Sequence, residues 1–346
     1  MEFDIVIATR NRLPALRVSL PLMLSQEKLP RNLIIVDASD NHAETKVEIE
    51  RIINQAGKDI SLQILLSKAG SSYQRNFGLR SVKSPVVFFP DDDALWYPGL
   101  TERVMRVYER DREEMIGAAC PCETSEPPPQ FGSQSKEKSD RKSRFYLREV
   151  MSRFINMFER TFFMDPIYVE GFSRLKNRTV PPWLGEESAV PFGPMTGFQM
   201  SFRTDMIRRT GFDENLGRYS LMEDRDASLY VLQERLIVCC EKALVYHFKM
   251  PGKRTDDYEW GLINMLNRAY VVCKHASPGS PARNCLRRYS LYRFLIYLLR
   301  IASQDGRSRI RGAWDGISCF DELLAAPREQ VTERYLHLME RCISGP

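Results

Sequence analysis

Val86-Val87-Phe88-Phe89-Pro90-Asp91-Asp92-Asp93 decides how this chain is read. Four apolar residues in a row, two of them β-branched and two aromatic, predict a strand buried on both faces. Three carboxylates at its end cannot all stay charged and close together without a cation. A hard divalent ion takes oxygen ligands and keeps positions open for water and phosphate. Asp91 and Asp93 are two apart, so a turn at the strand end can aim both at one ion. The plainer reading is an Asp-rich turn that caps a helix starting near Pro98.

Around this stretch, strand and helix patterns alternate through the first third of the chain. Strands are expected at Phe3–Ala8, Leu33–Val36, Leu62–Leu66 and Val86–Phe89. Between them lie helical spacings at Leu13–Ser25, His42–Ala56 and Tyr73–Ser81. The second helix is expected to turn Val47, Ile49, Ile52 and Ile53 inward. Such an order predicts an α/β fold with a mostly parallel sheet, its ligands at the carboxyl ends of the strands. Every polar cluster found sits at such an end: Thr9-Arg10-Asn11-Arg12, Asp37, Ser67 to Ser72, and Asp91 to Asp93.

Beyond this region the pattern changes. Residues 126–144 carry three prolines followed by Ser, Lys, Glu and Gln, and read as an exposed loop. Residues 144–163 are amphipathic, and a helix packed on the domain is weighed there against a membrane-surface helix. Further helices are expected at Met206–Thr210, closed by Gly211, and at Ala227–Glu234, opened by Glu223-Asp224-Arg225-Asp226. Leu236–Cys240 and Ala243–His247 read as two strands. From Tyr258 on the chain reads as helical, with breaks at His275–Ala282 and Gly306–Arg311.

The 346 residues are 43% hydrophobic and 27% charged, with a net charge of +5. That balance excludes a disordered or fibrous chain. It is too mild to imply nucleic acid, but suits a phosphate-rich ligand or an anionic membrane surface. No apolar run approaches the length of a membrane span, and no signal peptide is read at the N-terminus, so a cytoplasmic location is expected. The eight cysteines form no CxxC pair and are expected as free thiols. Asn177-Arg178-Thr179 matches a glycosylation sequon and is taken as chance.

Five segments carry a family resemblance. Phe3-Asp4-Ile5-Val6-Ile7-Ala8-Thr9-Arg10-Asn11-Arg12 resembles the opening strand of family 2 nucleotide-sugar glycosyltransferases. Leu33-Ile34-Ile35-Val36-Asp37-Ala38-Ser39-Asp40 is similar to their second strand and its acidic end. Gln74-Arg75-Asn76-Phe77-Gly78-Leu79 resembles the helix after their third strand. Phe89-Pro90-Asp91-Asp92-Asp93-Ala94 resembles the metal-binding DxD site, and Met222-Glu223-Asp224-Arg225-Asp226 the acidic pair that carries the base. Two departures stand out: Ala38 follows Asp37 where glycine is frequent, and Pro90 stands where leucine is common. The stretch between Cys122 and Pro194 is an insertion relative to the leanest members.

The resemblance implies a GT-A fold, Rossmann-like, with a catalytic domain over residues 1–255. Within it, 1–120 would bind the nucleotide sugar, 121–190 is an insertion and 191–255 carries the acceptor and catalytic half. A helical region follows at 256–346. It implies an inverting, metal-dependent transfer of a sugar from a nucleotide diphosphate, UDP by default, to a hydroxyl of a glycan or lipid-linked glycan. Asp224 is the expected general base, with Glu223 or Asp226 able to replace it. Thr9, Arg10, Arg12, Asp37, Arg75, Asp91 and Asp92 are the expected donor-binding residues, Asp37 taking an N–H of the base. Asp91, Asp93 and His247 would hold Mn²⁺ or Mg²⁺, His247 being equally readable as a structural strand-end histidine. Lys249, Lys253 and Arg254 follow it and are read either as closing over phosphates or as a charged surface loop. Trp183, Gly197 and Phe198 are placed on the acceptor side, while His42, His275 and His337 show no constellation. Residues 283–311 mix arginines with aromatic and aliphatic residues, so peripheral membrane association stands beside core packing. A nucleotidyltransferase and an inactive GT-A binding protein remain as alternatives.

Overall fold

The computed structural model describes residues 1–131, 163–176, 178–217, 219–250, 256–299, 301 and 304–344. The amphipathic stretch at 144–163, most of the 126–144 loop, Asn177, Lys253 and Arg254 therefore lie outside the described residues, Phe163 excepted. The chain divides into two compact units. One comprises Met1–Pro128 with Arg174–Gly252, the other Pro129–Ser173 with Lys253–Pro346.

The first unit is built on a mixed sheet with the strand order β3-β2-β1-β4-β8-β6-β9-β5, with β7 paired to β9. Strands β1 (Phe3–Thr9), β2 (Asn32–Asp37), β3 (Ser61–Leu66) and β4 (Val86–Phe89) run parallel, as the alternation predicts. Helices α1 (Leu13–Leu24), α2 (His42–Ala56) and α3 (Ser71–Leu79) connect them. Every residue of β2 and β4 is buried, which is what covering both faces of a parallel strand requires. Gly78 lets α3 lie directly on the sheet: a Cβ there would stand 2.5 Å from Val6 Cγ1 and 2.9 Å from Val36 Cγ2.

The sheet then changes direction. β8 (Met200–Arg203) pairs antiparallel with β4 and with β6 (Ile116–Glu123), and β6 runs parallel to β9 (Leu236–His247). β9 is one strand of twelve residues where two were expected. Its register against β6 shifts between Pro121 and Cys122, and this irregularity takes up the polar Glu241-Lys242 step. β5 (Ala94–Trp96) and β7 (Ala189–Pro191) both pair antiparallel with β9.

Two expectations about helices are corrected. Val47 faces water, 65% exposed, whereas Thr45, Ile49, Ile52 and Ile53 are buried. Those four follow the i, i+4, i+7, i+8 spacing of one face, and Val47 falls between them on the opposite side. No break occurs at Gly306–Arg311, because a helix runs through it from Gln304 to Ser318. Gly306 lies in its first turn, where the cost of glycine is smallest.

The second unit is helical among its described residues. Its central helix, Asp257–His275, is buried along most of its length. Tyr270 stacks on Tyr335 of the helix Val331–Ser344 at 4.2 Å between ring centres. Arg283, in the arginine-rich stretch 283–311, does not face water. It is buried and donates to the carbonyls of Cys273 and Ala276, satisfying the end of the central helix. No helix among the described residues is long and apolar enough to cross a membrane.

Candidate active site

Three parallel strands deliver their carboxyl ends to one edge of the sheet, and α3 is tied to that edge by Gln74. Its Nε2 donates to the carbonyls of Thr9 and Val36, both at 2.8 Å, stitching the ends of β1 and β2 together. Arg75, next in the helix, is thereby turned over the end of β4. It is buried and donates to Asp91 Oδ1 at 2.8 Å and to Glu223 Oε1 at 2.5 Å, with the Gly197 carbonyl at 3.4 Å. Burial alone would lower the guanidinium pKa, but Glu223 and Asp91 outweigh it and raise it.

The three aspartates have separate environments. Asp92 is buried, takes the Thr9 hydroxyl at 2.9 Å, and lies 2.8 Å from Arg12 Nε as an ion pair. Its carbonyl accepts from Ser19 of α1. Asp93 is buried too; its Oδ2 accepts from Arg12 Nη2 and from the Met250 amide. Burial pushes the Asp93 carboxyl up, but His247, the Arg12 guanidinium and the Met250 amide outweigh it. The group is held below the ordinary carboxylate range. Asp91 is the most open of the three.

His247 reaches this cluster because of β5, a strand the sequence pattern did not show. Ala94 pairs with His247 across the β5–β9 ladder, so the imidazole lands beside Asp93. Phe248 N–H then donates to the Asp93 carbonyl at 3.1 Å. One side-chain ligand atom from each of Asp91, Asp93 and His247 lies within 4.8 Å of the others. Asp93 Oδ1 is buried without a hydrogen bond, His247 Nε2 standing 3.4 Å away. Two carboxylates, one of them with a buried oxygen that takes no hydrogen bond, and one imidazole form a donor set that fits a divalent cation. Phe198 stacks on the His247 ring at 4.5 Å and fixes its plane.

Glu223 and Asp224 open the helix Glu223–Glu234, whose N-terminus favours negative charge. Their surroundings differ. Glu223 is buried against Arg75; burial pushes its carboxyl up while Arg75 pulls it down. Asp224 is only half-buried, and its Oδ1 accepts its neighbour Arg225's amide at 2.8 Å. Burial raises this carboxyl as well, against Arg225 and Arg75. Asp226 is buried. Gly197 stands between Arg75 and Asp224: a Cβ on it would lie 3.4 Å from Arg75 Nη2 and 3.7 Å from Asp224 Oδ2.

Thus Arg12, Arg75, Asp91, Asp92, Asp93, Glu223, Gly197, Phe198 and His247 are joined by direct contacts, with Thr9 and Asp224 at their edges. Others are placed apart. Arg10 is exposed, 3.9 Å from Asp40. Trp183 lies under Arg110, where α4 (Leu100–Arg110) ends and the chain turns back toward the first residue of β6. That is the far end of the strands from His247. Lys249 is exposed, 3.8 Å from Glu123. Asp37 is fully buried and bonded within its own turn. His42, read as belonging to no constellation, is its partner at 2.7 Å. An aspartate at a strand end followed five residues later by a histidine opening a helix was the available signal.

Residues 4–173 match the family described as "Glycosyl transferase family 2". These residues, just under half of the chain, carry a glycosyltransferase family 2 domain. The chain is a glycosyltransferase of GT-A type, which sets aside the nucleotidyltransferase alternative. Among solved structures, residues 1–349 of TarS from S. aureus share 14% identity, covering 100% of this chain and 92% of that one, with a TM-score of 0.50. The same TarS fragment in complex with UDP-GlcNAc aligns over 98% of this chain and 91% of that one, with 14% identity and a TM-score of 0.51. The mannosyltransferase PcManGT from Pyrobaculum calidifontis, in complex with GDP-Man and Mn²⁺, shares 13% identity over 97% and 85%, with a TM-score of 0.51. At these identities the likeness is one of fold. No curated protein matches the chain.

Proposed function

We propose that this glycosyltransferase inverts the anomeric centre as it moves a sugar from a UDP-type donor to a hydroxyl of a glycan or lipid-linked glycan. The observation that carries the reading is the cluster of Asp91, Asp93 and His247 together with a half-buried Asp224 that no side-chain ion pair occupies among the described residues. The GDP-Man and Mn²⁺ complex of PcManGT is a parallel for the donor class and the ion. Asp91, Asp93 and His247 would hold Mn²⁺ or Mg²⁺, which when bound offsets the charge that develops on the leaving diphosphate.

The chain's own residues do the rest. Arg75 and Arg12 keep the carboxylates apart and fixed, so the donor meets a preorganised edge. Asp224 accepts the proton of the acceptor hydroxyl as its oxygen bonds to the anomeric carbon. The bond from that carbon to the diphosphate oxygen breaks on the opposite face, and the nucleoside diphosphate leaves with the electron pair. Glu223 is less suited to this role because Arg75 occupies its carboxylate. Gly197 and Phe198, between the two carboxylate groups, line the acceptor side.

Anomeric stereochemistry tests the proposal. With Mn²⁺ and a UDP-α-sugar, proton NMR should show the first-formed product with β configuration; a first-formed α product would refute inversion. A lipid-linked acceptor also agrees with three exposed leucines, Leu291 and Leu295 on the helix Pro281–Leu298 and Leu299 at its C-cap. Flotation with anionic vesicles at low salt should carry the protein upward, and protein left wholly below would remove that part of the proposal.

A further inference from the structure

Asp37 has no surface to offer a ligand. It is 0% exposed, and its Oδ1 accepts both the Ser39 amide at 2.9 Å and the Ser39 hydroxyl at 2.6 Å. His42 Nδ1 lies 2.7 Å from Oδ2. The neighbouring acceptors are engaged as well. The Thr9 and Val36 carbonyls take Gln74, the Asp37 carbonyl takes the Ser67 amide, and the Ser39 hydroxyl oxygen takes the Asn11 amide. A base edge arriving at the end of β2 meets none of them directly.

It does meet His42, whose side chain is 24% exposed. An ionised carboxylate only accepts, so the proton between the two groups belongs to Nδ1. That fixes the tautomer, and in the neutral ring Nε2 becomes an acceptor facing away from Asp37. Among the described residues Nε2 has no partner. Resting on the donor class proposed above, we infer that His42 is the residue that reads the donor's base. Its Nε2 accepts the ring N–H of a uracil- or guanine-type base, and Asp37 is the positioning residue that holds the imidazole. Cytosine and adenine carry a lone pair at the corresponding ring nitrogen and would face Nε2 acceptor to acceptor.

Calorimetric titration in Mn²⁺ decides this, with UDP, GDP, CDP and N3-methyl-UDP as ligands. Wild type should bind UDP or GDP in preference to CDP. If UDP is the better ligand, N3-methylation should weaken it roughly fivefold to tenfold, the scale of one hydrogen bond; if GDP is, N1-methyl-GDP takes that place. His42→Leu and His42→Asn should bind parent and methylated ligands within about twofold of each other by the same reasoning. Asn retains an N–H toward Asp37 but has nothing at the Nε2 position, so it separates reading from holding. Thermal melts of both variants check the fold. If folded variants keep the full methylation penalty, or wild type binds CDP as well as UDP and GDP, His42 does not read the base. In both cases metal-dependent nucleotide binding would leave the glycosyltransferase reading intact. A folded wild type that binds no nucleotide would overturn both.

Discussion

Replacing Arg12 by methionine should expose how the carboxylate edge is held together. Arg12 is the cation shared by Asp92 and Asp93, both buried. Without it the two carboxyls lose their shared cation, and near neutral pH one of them must either stay ionised in a buried site beside the other or take up a proton. Keeping an aspartate neutral at pH 7, against an ordinary pKa of about 3.9, costs about 1.4 kcal/mol for each of about three pH units, or roughly 4 kcal/mol. That agrees with the roughly 3–5 kcal/mol typical of breaking a buried ion pair. The sign with pH follows from Asp93, whose carboxyl is held below its ordinary value in the folded protein. Such a group stabilises the fold above its unfolded pKa, and that contribution fades as the pH falls through the folded value. In the variant, the cost of keeping the orphaned carboxyl neutral shrinks by about 1.4 kcal/mol for each unit the pH falls toward the ordinary value. The gap between wild type and Arg12→Met should therefore narrow from pH 7 toward 4 and close below that, where the wild-type contribution fades as well. Urea unfolding in EDTA at several pH values measures it. Repeating the series with Mn²⁺ adds the link to the cation site, because an ion there replaces the lost charge and should recover part of the loss. A loss under about 1 kcal/mol, or one indifferent to both pH and Mn²⁺, would refute this account of the edge.

Asp224→Asn should leave donor binding near wild type and cut turnover by roughly two to four orders of magnitude. Because burial raises the Asp224 carboxyl, the wild-type rate should climb with pH through a midpoint above the ordinary aspartate range. The variant should lack that limb; if Glu223→Gln removes it instead, the base is Glu223. Gly312→Ala probes the second unit, where a Cβ would stand 2.0 Å from the Tyr258 carbonyl and force the two helices apart. A loss of roughly 1–3 kcal/mol is expected by calorimetry, and an unchanged melting temperature would contradict the contact.

The parallel half of the sheet and the Asp91–Asp93 turn were legible because both signals are local: an apolar run and the polar residues that end it. The antiparallel half was not. β5 is three residues long, and β6 includes Gly117 and Pro121, so neither presents an alternating pattern. The cost was in the site, since the pairing of Ala94 with His247 is what brings the imidazole to Asp93. Arg12 with Asp93 is a tertiary pair that carries no spacing rule, whereas His42 with Asp37 is local, five residues apart, and its signal went unread. Trp183 was misplaced for the converse reason: an aromatic in a Pro-rich loop has a local signal but no address, and the fold puts it beside Arg110.

Turnover of a nucleotide sugar decides whether the Asp91–Asp93 edge works as a metal-dependent active site. Purified protein is mixed with Mn²⁺ and a UDP-sugar, and release of UDP is followed in parallel with EDTA and with a folded Asp93→Ala variant. Asp93 lies at the centre of the proposed cation site, between Arg12 and His247. Wild type in Mn²⁺ should release UDP, and the release should fall to background in EDTA and in the variant. Turnover at wild-type rates in either of those samples would contradict it.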